Sequence, residues 1–221
     1  MKIDIWSDIR CPFCYIGKRK FERALERFPH KDKLEVTWRS FQLDPELQTT
    51  PGLHVYDYLA KIKGINRDQA VQMHTHVKRA ATEAGIQFNF DNAVVANSFK
   101  AHRLVQMAKT KGAGDEAKER LFKAHFTEGK NIDDDQTLRE IGMELGFSDD
   151  EVASMLKSDK YSAEVGEDES AARSIGIRGV PFFIFNDSVA VSGAQSPALF
   201  LQALEKAWDE YERLNTNATG E

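Results

Sequence analysis

Cys11 and Cys14 are the only cysteines in 221 residues, and Pro12 and Phe13 between them set the two sulfurs one helical turn apart. The pair lies between an apolar strand-like run (Ile3, Ile5, Trp6) and an amphipathic helix that opens at about Pro12, a setting suited to redox chemistry. Proline fits a first helical turn, where its missing N–H would have no partner. Cys11 then falls at the helix N-cap, where free backbone N–H groups and the positive end of the dipole favour a thiolate. The spacing predicts an exposed nucleophile, Cys11, and a shielded resolving thiol, Cys14, that faces inward. Two other uses of paired cysteines fit less well. Half a zinc site needs further ligands, but no second pair exists, and His74 and His76 point in different directions on a helix. A structural disulfide across so short a loop constrains little of the unfolded chain. No metal is expected.

The elements that must position this pair follow from the hydrophobic period. Residues 2–6 read as a strand. The helix after the cysteines keeps Cys14, Gly17, Phe21, Leu25 and Phe28 on one face, with Lys18, Arg19, Glu22, Arg23 and Glu26 mostly outward, and stops at Pro29. Leu34 to Leu43 holds Val36, Trp38 and Phe41, a second strand, so the first 40 or so residues make a βαβ unit with parallel strands. From about His54 to Ile175 nearly everything is helical in period, with breaks at Gly64, Gly85, Gly112–Gly114, Gly129, Gly146 and Gly176. Ile86 to Phe90 is expected to connect helices. Asn92 or Asn97 is expected to cap a helix bearing Val94, Val95, Ala101, Leu104, Val105 and Ala108, and Ser148 with Glu151 forms a capping box. Phe122, Phe126 and Met143 are expected in the core, and His30, His54 and His125 carry no functional reading. Strand character returns at Phe182 to Phe185, turns at Asn186-Asp187-Ser188, and runs back through Val189 to Val191. Ser196-Pro197 opens a last helix, and the polar tail from about Asn215 is expected to fray. The whole is α/β: residues 1–50 and 176–221 form one discontinuous layer in the thioredoxin order of elements, and 51–175 a helical insertion.

Composition narrows the partners. A net charge of −5, with the acidic residues spread along the chain, argues against nucleic acid or an anionic membrane. No apolar run approaches the roughly 20 residues that span a bilayer. Met-Lys-Ile-Asp-Ile-Trp leads straight into a strand, with no signal segment, so the dithiol is expected to work in the cytoplasm, where the prevailing poise keeps most pairs reduced.

Four stretches carry a family resemblance. Ser7-Asp8-Ile9-Arg10-Cys11-Pro12-Phe13-Cys14-Tyr15-Ile16-Gly17, then Gly179-Val180-Pro181-Phe182-Phe183, then Ser192-Gly193-Ala194-Gln195 resemble the DsbA family, and more closely its cytosolic, FrnE-like branch. Asn97-Ser98-Phe99-Lys100-Ala101-His102-Arg103 is similar to a helix motif of that branch. The resemblance covers nearly the whole chain and implies a thioredoxin-like fold with a large all-helical insertion. It also implies thiol–disulfide oxidoreductase or disulfide isomerase activity without a bound cofactor, with glutathione as a possible electron donor. Substrates would be disulfide-containing proteins or small thiols. Pro181 resembles the cis-proline that such proteins place opposite the dithiol, which would leave the Val180 backbone free to pair with an extended substrate. Pro12, Phe13, Val180 and Pro181 are thus the expected substrate contacts.

Other groups are auxiliary candidates with ordinary alternatives. Arg10 would favour a Cys11 thiolate, or be a solvated arginine. Asp4 would accept the Cys14 proton if it lay buried beneath it, or sit at an exposed edge, which is the reading preferred here. His102 would line the cleft, or make a structural hydrogen bond. Relatives often carry a polar or histidine residue where Phe13 stands, and Phe13 donates no hydrogen bond. Two rival functions share the architecture. Glutathione-dependent isomerases and kappa-class transferases use a serine where Cys11 stands, and retention of both cysteines argues against them. A chaperone-like binder would use an apolar groove in the insertion.

Overall fold

The computed structural model describes residues 1–218. Strand β1 (Lys2–Ser7) leads through residues 8–11 into α1 (Pro12–Leu25), and β2 (Glu35–Ser40) returns beside β1 in parallel, Ile3 opposite Val36 and Ile5 opposite Trp38. The last two strands, β5 (Phe182–Phe185) and β6 (Val189–Ser192), form a hairpin, and β5 pairs antiparallel with β1, giving the sheet order β2-β1-β5-β6. Asn186 and Asp187 both adopt left-handed φ, 49° and 54°, as a tight two-residue turn requires. β1 is central and buried on both sides. One face, with Ile3, Ile5, Phe183 and Phe185, packs on Phe21 of α1, on Phe28, which lies beyond the end of α1 because the helix stops at Leu25 and not at Pro29 as expected, and on Phe200, Leu204 and Trp208 of α9 (Pro197–Ala218). The other carries Asp4 and Trp6.

Between β2 and β5 the chain supplies seven more helices: α2 (Val55–Lys63), α3 (Arg67–Glu83), α4 (Phe99–Lys109), α5 (Gly114–Phe126), α6 (Asp135–Glu144), α7 (Asp149–Leu156) and α8 (Ser162–Ser174). Their shared core holds Leu104, Val105, Leu121, Phe122, Phe126, Ile141 and Val152, and reaches across to Cys14, Tyr15 and Ile16. α1 is therefore wedged between two cores. The Tyr15 ring stacks on Phe122 at 4.9 Å while its hydroxyl donates to Glu119 at 2.7 Å. Asp168 of α8 ties this block to the sheet: its carboxylate accepts from the Ser40 amide (2.8 Å), Arg39 (3.1 Å) and Gln106 (2.6 Å). Among the described residues no helix is long and apolar enough to cross a membrane.

Several expectations need correction. Val94 and Val95 are not helical; they pair as β4 with β3 (Thr50–His54), a small second sheet. The Asn97 side chain accepts from the Phe99 amide at 2.7 Å just before α4, while Asn92 lies upstream of β4. The box at Ser148 and Glu151 is formed on both sides. Lys18 is not outward: its ammonium is buried against Glu22, Asp115 and Glu119. Met143 is 46% exposed, because α6 turns Leu138, Ile141 and Gly142 inward and Met143 away. α9 runs past Asn215 to Ala218, and the rest of the expected frayed tail lies outside the described residues.

Candidate active site

β1 ends at Ser7, and residues 8–10 turn the chain so that α1 starts beside the sheet. Cys11 is the N-cap with extended φ and ψ of −87° and 111°, Pro12 takes the first helical position, and the Cys14 amide donates back to the Cys11 carbonyl at 3.0 Å. Both thiols are free. The expected contrast in exposure is not found as such, since Cys11 is 4% exposed and Cys14 fully buried. The neighbouring helical block and the Val180–Pro181 loop roof the N-cap. What distinguishes the sulfurs is the space they face. Cys11, Pro12 and the 46%-exposed Phe13 line a largely apolar cleft of about 560 Å³, walled by α2, α3 and Phe126, and Cys14 does not reach it. Burial, and then the hydrogen bond and charge of Cys11, push the Cys14 thiol well above its ordinary value.

Across from the dithiol, the Cys11 thiol donates to the Val180 carbonyl at 3.5 Å, and the Val180–Pro181 peptide bond is cis. The Pro181 carbonyl accepts from the Gly193 amide at 2.8 Å, which holds the loop to the end of the hairpin. Gly17 makes the close packing feasible: a Cβ there would stand 3.0 Å from the Pro181 ring.

The auxiliary candidates scatter. Arg10 lines the cleft, and its guanidinium donates to the Tyr58 hydroxyl at 3.1 Å with the Tyr58 ring beneath it. Asp4 is neither at an exposed edge nor under Cys14. It is 4% exposed on the sheet face away from α1, paired with Arg39 at 2.7 Å and Lys2 at 2.9 Å. The strand period decides this, because Asp4 alternates with Ile3 and Ile5, and those two face α1. His102 does not border the cleft. It is fully buried in α4, where its Nε2 meets the Asp8 carboxylate at 3.4 Å.

Two groups near the dithiol, Asp8 and Lys118, carry no functional reading in the sequence, and a third, His125, is set aside there as without function. Asp8, fully buried, accepts from the Arg10 and Leu43 amides at 3.1 and 2.8 Å. Burial alone would raise it, but the hydrogen bond and charge of His102, with the Leu43 amide and Arg10, hold it well below the usual carboxylate range. His125 is buried in the cleft wall, its Nδ1 unpartnered, and burial with the Arg10 charge lowers it to about 4. Lys118, on the same face of α5, is fully buried with its ammonium on the Ser7 carbonyl at 3.1 Å. For Lys118 and His125 a signal was present: 118, 121, 122 and 125 form one buried helical face, so a lysine and a histidine sit on an apolar stripe. Among the described residues no group of three or more His, Cys, Asp or Glu is arranged to hold a metal ion.

The arrangement brings two thiols of unequal access to a helix N-terminus, beside a cleft and opposite a cis-prolyl loop. The chain as a whole is similar to known proteins. The uncharacterised protein YwbO of Bacillus subtilis is 30% identical over 205 residues, covering 91% of this chain and 94% of that one. The crystal structure of a probable DsbA oxidoreductase, SCO1869 of Streptomyces coelicolor, superposes with a TM-score of 0.89 at 35% identity over 95% of this chain and 91% of that one. The cytosolic disulfide reductase DsbM of Pseudomonas aeruginosa, solved alone and with GSH, shares the fold at a TM-score of 0.64, 19% identity and coverage of 98% and 100%. The family model of the DSBA-like thioredoxin domain matches residues 2–205, and this chain belongs to that family.

Proposed function

We propose that the chain is a thiol–disulfide oxidoreductase in which Cys11 is the nucleophile and Cys14 the resolving thiol, acting as a reductase or isomerase of disulfides. The observation that carries this reading is the placement of the only two cysteines: one at the N-cap and bordering a cleft, the other a turn behind it and buried. In reduction, the Cys11 thiolate attacks a substrate disulfide R–S–S–R′, forms the Cys11–S–S–R mixed disulfide and releases R′S⁻, which takes up a proton. Deprotonated Cys14 then attacks Cys11, forms the intramolecular disulfide and releases RS⁻. The substrate is reduced by two electrons and the dithiol oxidised by two. A low-molecular-weight thiol such as glutathione restores the dithiol by the reverse exchange. Pro12, Phe13, Val180 and Pro181 are the proposed contacts to the segment flanking the substrate sulfur, and Arg10 meets it at the cleft rim. In this reading residues 1–50 and 176–221 are the redox domain, 51–175 the insertion that walls the cleft, and the cytoplasm the working compartment.

The test is selective alkylation with a disulfide-reduction assay. At neutral pH Cys11 should label at least tenfold faster than Cys14, and Cys11→Ser should abolish reduction of a protein disulfide. Equal labelling, or activity surviving the substitution, refutes the assignment. Full turnover in Cys14→Ser with glutathione and an aromatic substrate would instead favour a glutathione-dependent isomerase, which needs no second thiol.

A further inference from the structure

Lys118 is a buried cation without a counter-ion in contact. Its side chain is fully enclosed, it forms no ion pair among the described residues, and its ammonium has one hydrogen-bond acceptor there, the Ser7 carbonyl at 3.1 Å. The rings of Trp38 and Phe122 flank the ammonium at 5.9 and 5.8 Å. An ammonium with three donors in such a place is costly unless a negative charge forms nearby. Ser7 shows where. Its carbonyl takes Lys118, while its hydroxyl, buried and otherwise unpartnered, faces the Cys14 sulfur together with the Asp8 amide. Lys118 and Cys14 thus approach one residue, the last of β1, from two sides.

We propose that Lys118 is the positioning residue of the resolving thiol: its ammonium, anchored on Ser7, stabilises the negative charge that Cys14 bears while it attacks the mixed disulfide. The inference rests on the exchange reaction proposed above and concerns only its second step. The Cys14–H proton leaves to solvent or to the departing RS⁻, the Cys14–Cys11 bond forms, and the Cys11–S–R bond breaks; Lys118 neither gains nor loses a bond. The charge balance around it agrees. Burial lowers Lys118 to about 8, and a negative charge formed on Cys14 is the largest influence that opposes this, followed by Asp8. The other charged groups that face it are Lys109 of α4, which repels, and Asp168 of α8, which attracts; burial and then the Lys118 charge lower His102 of α4.

The two steps separate in one experiment. Reduced full-length protein is mixed with a symmetrical aromatic disulfide whose thiolate is coloured, and the two releases are followed by stopped flow from pH 6 to 10. Lys118→Met keeps the length and removes the charge, a change that buried sites often tolerate. The first release should stay within twofold of wild type. The second should slow at least tenfold at pH 7, its pH midpoint should move upward, and the Cys11 mixed disulfide should accumulate in acid-quenched samples. Lys118→Arg should recover part of the second rate. A second release unchanged in rate and midpoint overturns the proposal. Absence of a Cys11-dependent first release in the wild type overturns the exchange reaction itself, so the two failures are distinct. The unaltered protein gives an independent reading, because Lys118 loses its charge near 8: above that pH the second release should rise less steeply with pH than below it, and an undiminished rise overturns the proposal whether or not the variants fold.

Discussion

Phe13 occupies the position from which a side chain could most directly stabilise a thiolate at Cys11. It is 46% exposed at the edge of the cleft and offers no hydrogen bond. A strongly oxidising dithiol owes its potential to a stabilised reduced form. Here the visible help is the helix terminus, since the Arg10 guanidinium is engaged with Tyr58 and the Cys11 thiol donates to a carbonyl. The couple should therefore lie nearer thioredoxin and glutaredoxin than the periplasmic oxidant, roughly −190 to −270 mV. Equilibration with glutathione buffers measures it directly, and Phe13→His should shift it toward oxidising values. A wild-type potential near −120 mV would mean that another group stabilises the thiolate. The two cysteines were legible because they are unique and because their spacing fits one helical turn. Asp8 was not, because it is a charged residue whose burial depends on an element distant in sequence, α4, which brings His102 to it; Lys118 stands out on an apolar helical stripe, but nothing local shows that α5 brings it under β1. Asp4 failed for a complementary reason. Its apolar neighbours fix which way it points, but its partner Arg39 comes from the next strand.

At the scale of elements, the N-terminal half of α1 and the Val180–Pro181 loop must approach closely for Cys11 to reach the Val180 carbonyl. Gly17 is where that approach is made. Alanine in a helix interior is favoured over glycine by about 1 kcal/mol. The Cβ of Gly17→Ala, however, would lie 3.0 Å from Cγ of the stiff Pro181 ring. The two effects oppose each other, so urea unfolding should show a change within about 1 kcal/mol. Disulfide reduction should nevertheless slow severalfold, because the displaced loop carries the carbonyl that faces Cys11. A variant that is both stabilised and fully active would show that the contact does not position the site. The βαβ unit and the closing hairpin could be read from period and turn residues alone. β3 and β4 could not: Val94-Val95 is too short to show a period of two, and its partner strand lies some 40 residues upstream and contains Pro51 and Gly52.

Over the whole molecule, the junction between sheet and helical block is unusually polar, and this sets the response to acid. Asp8, His102, Lys118 and Asp168 are all at most 5% exposed, and the neighbouring His125 lies in the cleft wall. His125 stays neutral in the folded protein down to about 4, whereas an unfolded histidine takes up its proton near 6.5. Between those values the unfolded chain binds more protons, so stability is full above about 6.5 and falls as the pH drops toward 4. The fall from this one residue is on the order of 3 kcal/mol. Asp8, depressed by His102, adds a second loss only below about 4, where an unfolded aspartate becomes protonated while the folded one does not. Denaturant unfolding at a series of pH values should therefore show a slope that begins near pH 6.5. In His125→Gln that slope should flatten by close to one proton while the loss below pH 4 persists. An unchanged slope in the variant would mean that His125 already accepts a proton in the folded state, and that its unpartnered Nδ1 finds a partner when it does.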